Sequence, residues 1–298
     1  METQVLYNIF QQEALGIKIA IYFYLTGLSA GSLVISSLAP VFGLKQFKPA
    51  AKTGAVLAAV LVAVAPLFLL AHISMPLRAW HLFFYLNPTS PLTWGSFLLV
   101  FYFACCVMYG YSLFREKERP ARVFGYAGIF LVVAVEWYTG SILSFGKARA
   151  LWHTPLMPAL FLVSACVSGT AVVIFISFLK ERYFSKEKKI NLELMMSLAR
   201  IMAWLIVLDL FLLGCEMTVL SISHSEAQAA AELLLKGKFS FLFLVGENLA
   251  GKIIPFFLVV VPRFRRQITV VAASILVLAG IFIMRYVLVI GGEFIPLI

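Results

Sequence analysis

Six ionisable side chains lie inside long apolar runs of this sequence: Glu136, Asp209, Glu216, Glu247, Lys252 and Arg285. In that setting such groups can pass protons, pair as ions or line a polar pocket. Each costs about 2.5–3.5 kcal/mol at the centre of a hydrocarbon layer unless it is paired or wetted. Asp209 and Glu216 are seven residues apart, which puts them on one helix face, about 10 Å apart along the axis. The spacing fits either a proton path directed into the membrane or a hydrogen-bonded packing pair. Cys105, Cys106, Cys166 and Cys215 also fall in apolar runs and form no C-x-x-C or other metal-ligand spacing. They read as buried thiols, and no metal site is expected in the chain.

The elements that carry these groups follow from composition. The chain has 298 residues, 62% of them hydrophobic and 13% charged, against roughly 45–50% and about 25% in soluble domains. A soluble fold of this size could not hide so much apolar surface. Eight apolar stretches, 17–38, 53–75, 92–114, 123–145, 156–179, 200–223, 239–261 and 268–290, are each long enough for a crossing of about 20 residues. They are continuous and lack two-residue alternation, which excludes an outer-membrane barrel. The expected fold is all-α, a polytopic membrane protein of eight transmembrane helices in two four-helix bundles, forming one integral membrane domain over 1–298. Small residues four apart, Gly27 with Gly31 and Ser164 with Ser168, permit close helix contact. Their similar placement four spans apart hints at a 4+4 repeat over about 17–145 and 156–290. The N-terminal stretch carries Glu2 and Glu13 and has no basic n-region, so the first span is expected to be retained rather than cleaved.

The cations sort by loop. Lys45, Lys48, Lys52, Arg115, Lys117, Arg119, Arg122, Lys180, Arg182, Lys186, Lys188, Lys189, Arg200, Arg263, Arg265 and Arg266 flank one side of the spans. Only Lys18, Arg78, Lys147, Arg149, Lys236 and Lys238 flank the other. The positive-inside rule places the first group in the cytoplasm and both termini outside. The formal charge of +10 is therefore a topology signal, and a nucleic-acid partner drops out. With this orientation Glu136, Glu216, Glu247 and Arg285 share the outer half of the membrane, and His72 closes span two on the same side. This convergence reads either as a polar pocket near the outer face or as Arg285 neutralising one carboxylate to fix helix packing.

Two outer loops are shaped by proline and aromatic residues. One runs from His72 through Pro76, Arg78 and Trp80 to the stretch N-P-T-S-P-L-T-W-G at 87–95. The other follows Glu136-Trp-Tyr138-Thr-Gly140 with R-A-L-W-H-T-P-L-M-P at 149–158. Prolines start helices and stiffen turns there, and Trp and Tyr suit the membrane interface. With its small-residue first span, the Pro76–Arg78 turn, the 87–95 stretch, the Y-T-G triplet and the 149–158 run, the sequence resembles the NrfD/PsrC-like family over essentially its whole length. These are the membrane subunits of polysulfide reductase and its relatives.

The resemblance implies a subunit without metal or haem that binds menaquinone or a related quinone near the outer face. Its implied partners are an iron–sulfur subunit of the ferredoxin-like four-cluster type and a molybdopterin catalytic subunit, in a bacterial or archaeal cytoplasmic membrane with the docking face outside. Carried over by position, Tyr138 becomes the partner of a quinone oxygen, and Arg78 and Arg149 fall in the rim that docks the iron–sulfur subunit. The implied quinone-binding set is Tyr22, His72, Arg78, Tyr138 and Trp152. The chain departs from the pattern in two places: His72 stands where many members have an acid, and Tyr22 where some have a histidine. Imidazole titrates near neutrality, so His72 is the acid/base candidate beside Tyr138, with a helix-cap or interface role as its alternative. Glu136, Asp209, Glu216, Glu247 and Arg285 form the candidate proton-transfer set. Two other readings stay open: a secondary transporter or ion-conducting protein, for which Gly246, Gly251 and Pro255 would break span seven, and a haem anchor clamped by His72 and His224.

Overall fold

The computed structural model describes residues 15–73, 75–87, 89–146, 149–183, 191–264 and 266–294. Expectations for Glu2, Glu13, Lys147, Lys186, Lys188, Lys189 and Arg265 lie outside them. The described residues contain helices and turns and no strand, as an apolar solvent requires of a chain that must satisfy its backbone internally. The helices are α1 Ile17–Ser37, α2 Lys48–His72, α3 His81–Phe84, α4 Pro91–Phe114, α5 Glu118–Ser144, α6 Met157–Tyr183, α7 Leu192–Ile222 and α8 Ser225–Leu235. A π-helical segment, Phe241–Ile253, then leads into α9 Ile254–Val260, and α10 covers Gln267–Phe294. Among the described residues eight helical segments, called crossings, are long and apolar enough to span a membrane, the seventh being Phe241–Val260. The short α3 and α8, which the apolar pattern does not predict, lie in connections.

Three helices start several residues earlier than expected. α2 starts at Lys48, α5 at Glu118 and α7 at Leu192, rather than at 53, 123 and 200. Lys48, Lys52, Arg119, Arg122 and Arg200 therefore ride on helix ends and not in loops, as do Lys180 and Arg182 at the end of α6. Apolar stretches mark the hydrocarbon layer. Lys, Arg and Glu are good helix formers whose stems snorkel, so the helices continue into the headgroup region.

The most enclosed crossings are α1, α6 and α10, with 78%, 67% and 56% of their apolar windows buried. α1 packs on α2, α5, α6 and α10. Neighbour contacts run α1–α2–α4–α5 and back to α1, and separately α6–α7–seventh crossing–α10 and back to α6. The two sets meet chiefly where α1 lies along α6. There a Cβ on Gly31 would lie 2.0 Å from the Ala165 carbonyl oxygen and 2.8 Å from the Gly169 Cα. Gly27 and Gly31 of the first span thus lie against Ala165 and Gly169, each one residue beyond the Ser164 and Ser168 that the sequence marked.

Within the first set two equivalent polar nodes stitch three helices. Ser29 donates to the Ala58 carbonyl at 2.7 Å and lies 3.0 Å from the Tyr102 hydroxyl. Ser36 donates to the Ala51 carbonyl at 2.5 Å and lies 3.0 Å from the Tyr109 hydroxyl. The nodes are one heptad apart, and both tyrosines are fully buried. The beginning of α1 and the end of α10 meet on one side of the bundle, the terminal face. There the Leu15 amide donates to Glu293 Oε1, and Arg149 donates to the Glu293 carbonyl at 3.0 Å.

Candidate functional site

Tyr138 sits in α5 about 9 Å from its end at the terminal face. Its position is set by α4: a Cβ on Gly95 would lie 1.7 Å from the Tyr138 Cζ and 1.9 Å from its hydroxyl oxygen, so the ring occupies the space that any larger residue would take. Across the bundle Tyr22, about 8 Å into α1, is buried, and its hydroxyl has no hydrogen-bond partner. Tyr138 and Glu136 both lie within electrostatic reach of that hydroxyl.

Glu136 and Arg285 complete the cluster. Both are 0% exposed, at about 12 and about 13 Å from the ends of α5 and α10. Arg285 Nη2 lies 3.9 Å from Glu136 Oε2 and donates to the Phe161 carbonyl at 3.1 Å and to Ser164 Oγ at 2.9 Å. Its guanidinium carbon stands 3.6 Å from the Phe161 ring centroid, a cation–π contact in a dry setting. Gly27 leaves room beside it: a Cβ there would come within 3.5 Å of Nη2. Ser164, read from the sequence only as a packing residue, is thus also a ligand of the arginine.

Both Glu136 oxygens, Arg285 Nε and Nη1 and the Tyr22 hydroxyl are buried without a hydrogen-bond partner. Buried polar atoms are rarely left so, since each costs about 1–3 kcal/mol. Five such atoms, from α1, α5 and α10, mark a place built for water or a polar ligand group. Arg285 thus stands beside a carboxylate, at 3.9 Å, and the polar atoms around it keep unused hydrogen-bonding capacity.

A second group lies against it. Lys252 Nζ lies 2.7 Å from Asp209 Oδ2 and 2.8 Å from Glu247 Oε1, and all three side chains are buried. Arg285 is within electrostatic reach of Asp209 and Glu247. Glu216 stands apart: its Oε2 accepts from Thr154 at 2.8 Å, and its Oε1 has no partner. Asp209 and Glu216 therefore do not form the hydrogen-bonded packing pair that their spacing allowed. Each takes its partner from a neighbouring segment, because seven residues of helix separate them by about 10 Å. Glu216 and Glu247 line a common internal cavity of about 10 Å³, about the room of one water. Lys252 and Thr154 stand outside the candidate set drawn from the sequence. Their pairing depends on the rotation of one helix against another, which apolar periodicity does not encode.

The remaining candidates lie nearer the surface. His72 ends α2, and the next residue, Ile73, helps to line a surface cleft of about 340 Å³ between α2, α3 and α4. The cleft walls are apolar apart from Ser96, the neighbour of Gly95. Arg78 is exposed on the rim, at the end of a 3₁₀ turn over Pro76–Arg78. Trp152 is buried, and its indole N–H donates to the Leu288 carbonyl at 2.7 Å, so its only polar hydrogen is committed to α10. His224 lies before α8, which packs on α7, the seventh crossing and α10, whereas α2 packs on α1, α4 and α6; the two histidines of the haem reading thus belong to different helix sets. Among the described residues no three of His, Cys, Asp or Glu come together as a metal-binding group.

Comparison with known proteins matches residues 7–296 to the family model described as "Polysulphide reductase, NrfD". The chain is 33% identical to the Hdr-like menaquinol oxidoreductase integral membrane subunit of Archaeoglobus fulgidus, over 92% of this chain and 69% of that one. It is 28% identical to a selenate reductase subunit of Mesobacillus selenatarsenatis, over 94% of this chain and 74% of the relative. With a polysulfide reductase component of Wolinella succinogenes it shares 26% identity, over 92% and 93% of the two.

Proposed function

The chain belongs to the polysulphide reductase NrfD family, and from that premise we propose that it is the quinone-reactive membrane anchor of a respiratory oxidoreductase. It exchanges electrons between a menaquinol-type quinone and an iron–sulfur partner subunit, which passes them to or from a molybdopterin catalytic subunit. The name of the archaeal relative, a menaquinol oxidoreductase subunit, supports the quinone class. The observation that carries the reading is the set of five buried polar atoms without a hydrogen-bond partner on Tyr22, Glu136 and Arg285, together with the Tyr138 ring that Gly95 seats.

These residues fit an amphipathic quinone. The apolar cleft between α2, α3 and α4 suits an isoprenoid chain. When bound, the quinone supplies two-electron, two-proton redox chemistry. Tyr138 and Tyr22 present hydroxyls to its oxygens, and Arg285 fixes the Glu136 carboxylate behind them. His72, at the end of α2 beside the cleft, exchanges a proton with the outside. The terminal face is the outer face, where the partner subunits dock. A second proton route leads inward by way of Glu216, Glu247 and Asp209.

The test is turnover of the complex purified through this chain. Tyr138→Phe and His72→Ala should lower quinol-linked turnover by about tenfold or more, while activity with an artificial soluble donor stays at the wild-type level. Full quinol activity in both variants would place the quinone elsewhere.

A further inference from the structure

The seventh crossing is π-helical over thirteen residues, Phe241–Ile253, although π geometry occurs mostly as single-turn bulges, often at functional sites. In an α-helix residues five apart are rotated by about 140° from each other, so Glu247 and Lys252 would diverge. The wider i→i+5 turn brings them back toward one face, and Lys252 donates to Glu247 Oε1 at 2.8 Å. Local features favour this register. Asn248 Nδ2 donates to the carbonyl of Phe243, five residues back, at 2.8 Å. Gly251 lies against Gly280 of α10, where a Cβ would come within 2.4 Å of the Gly280 Cα. Pro255 follows the segment, in the first turn of α9, where it has no N–H to continue the wide turn.

The register matters because Lys252 also meets Asp209 of α7 at 2.7 Å. Two carboxylates on one ammonium leave a net negative charge, and an uncompensated charge in the hydrocarbon region costs about 2.5–3.5 kcal/mol on the insertion scale. One added proton makes the triad neutral. The other charged group in reach of both acids is Arg285, which already faces Glu136. Glu247 also lines the one-water cavity that it shares with Glu216. Glu216 and Asp209, too far apart along α7 for direct transfer, are thus bridged by side chains of the neighbouring crossing.

We propose that Lys252 is the positioning residue of this route: it holds one proton shared between Asp209 and Glu247, and the π-helical register of the seventh crossing places it there. The proposal rests on the inward proton route of the function proposed above. In each step a carboxyl on one acid loses the proton that the other carboxylate gains. Lys252 remains an ammonium and shifts its hydrogen bonds toward whichever carboxylate is charged, so no net charge enters the membrane.

The test uses the whole complex in proteoliposomes, with wild type, Asp209→Asn, Lys252→Arg and Lys252→Met. Two quantities are read: protons moved per quinol oxidised, and the infrared signal of protonated carboxyl groups. Asp209→Asn leaves a neutral Lys252–Glu247 pair, so it folds even if Lys252→Met does not. The infrared signal of one carboxyl should vanish in Asp209→Asn, and the proton ratio should fall by about tenfold or more in Asp209→Asn and Lys252→Met. Lys252→Arg, which keeps the charge, should retain a measurable part of it. A wild-type ratio in Lys252→Met or Asp209→Asn, or an unchanged carboxyl signal in Asp209→Asn, overturns the proposal while the route stands. A wild-type complex that moves no protons overturns the route itself, and the infrared arm then reports separately on the shared proton.

Discussion

Tyr138 owes its place to an absent side chain. Because a Cβ on Gly95 would lie 1.7 Å from the Tyr138 ring, Gly95→Ala must expel the phenol while improving the intrinsic helix propensity of α4 by up to about 1 kcal/mol. The expected outcome is a loss of quinol-linked turnover comparable to that of Tyr138→Phe, about tenfold or more, in a complex that assembles normally. Steady-state kinetics with quinol and with an artificial donor, side by side, measure it. Trp152 gives the opposite case. Its N–H is committed to the Leu288 carbonyl, and its ring fills the space against α10 that a Cβ on Gly292 would enter at 1.9 Å. Trp152→Phe removes that second bond to a carbonyl inside α10 and should cost about 0.5–1.5 kcal/mol of stability, seen as a lower unfolding midpoint in detergent. The Km for quinol should not change. A raised Km with unchanged stability would return Trp152 to the quinone-binding set that the family resemblance implied.

Between helices, the same reasoning singles out the seam of α1 and α6. A methyl group on Gly31 would lie 2.0 Å from the Ala165 carbonyl oxygen, so Gly31→Ala must separate two of the most enclosed crossings. Overpacking of this kind costs about 1–3 kcal/mol. Gly110 and Gly214 meet nothing within 4 Å of a built Cβ, so their alanine variants should be neutral or stabilising by up to about 1 kcal/mol. Thermal unfolding of the three variants in one detergent distinguishes them, and equal midpoints would mean that the seam is not packed as described. Much of this level was legible in the sequence. The eight crossings follow from apolar length, and the small residues at 27, 31, 164 and 168 marked close contact, though not with each other. Ser29 with Ser36 and Tyr102 with Tyr109 recur at seven residues, but that spacing does not say which helices become neighbours, so their hydrogen bonds were not legible. The π register was invisible for a related reason: Gly246, Gly251 and Pro255 announce an irregular span, but i→i+4 and i→i+5 ladders can be built from the same apolar string.

At the scale of the whole molecule the vertical order of the groups decides what the protein can do. Tyr22, Tyr138, Glu136 and Arg285 lie about 8–13 Å from the terminal face, and Asp209 about 20 Å from the end of α7 on that face. A quinone site at that level releases protons to the near side. A route through Lys252 and Asp209 would instead connect it to the far side, so the sign of any coupling depends on which face is outside. An even number of crossings among the described residues puts both ends of the described chain on one side, and the excess of Lys and Arg around the opposite connections is the ground on which that side is proposed to be the exterior. Single cysteines read the orientation directly, since native Cys105, Cys106, Cys166 and Cys215 are buried or partly buried within the crossings. Ala229→Cys, exposed on α8 toward the terminal face, should react with an impermeant maleimide in intact cells. Gln46→Cys, exposed in the 3₁₀ turn between α1 and α2 at the opposite face, should react only after the membrane is opened. The reverse pattern would turn the quinone site toward the cytoplasm, move the docking face with it, and make the Lys252 route carry protons to and from the exterior.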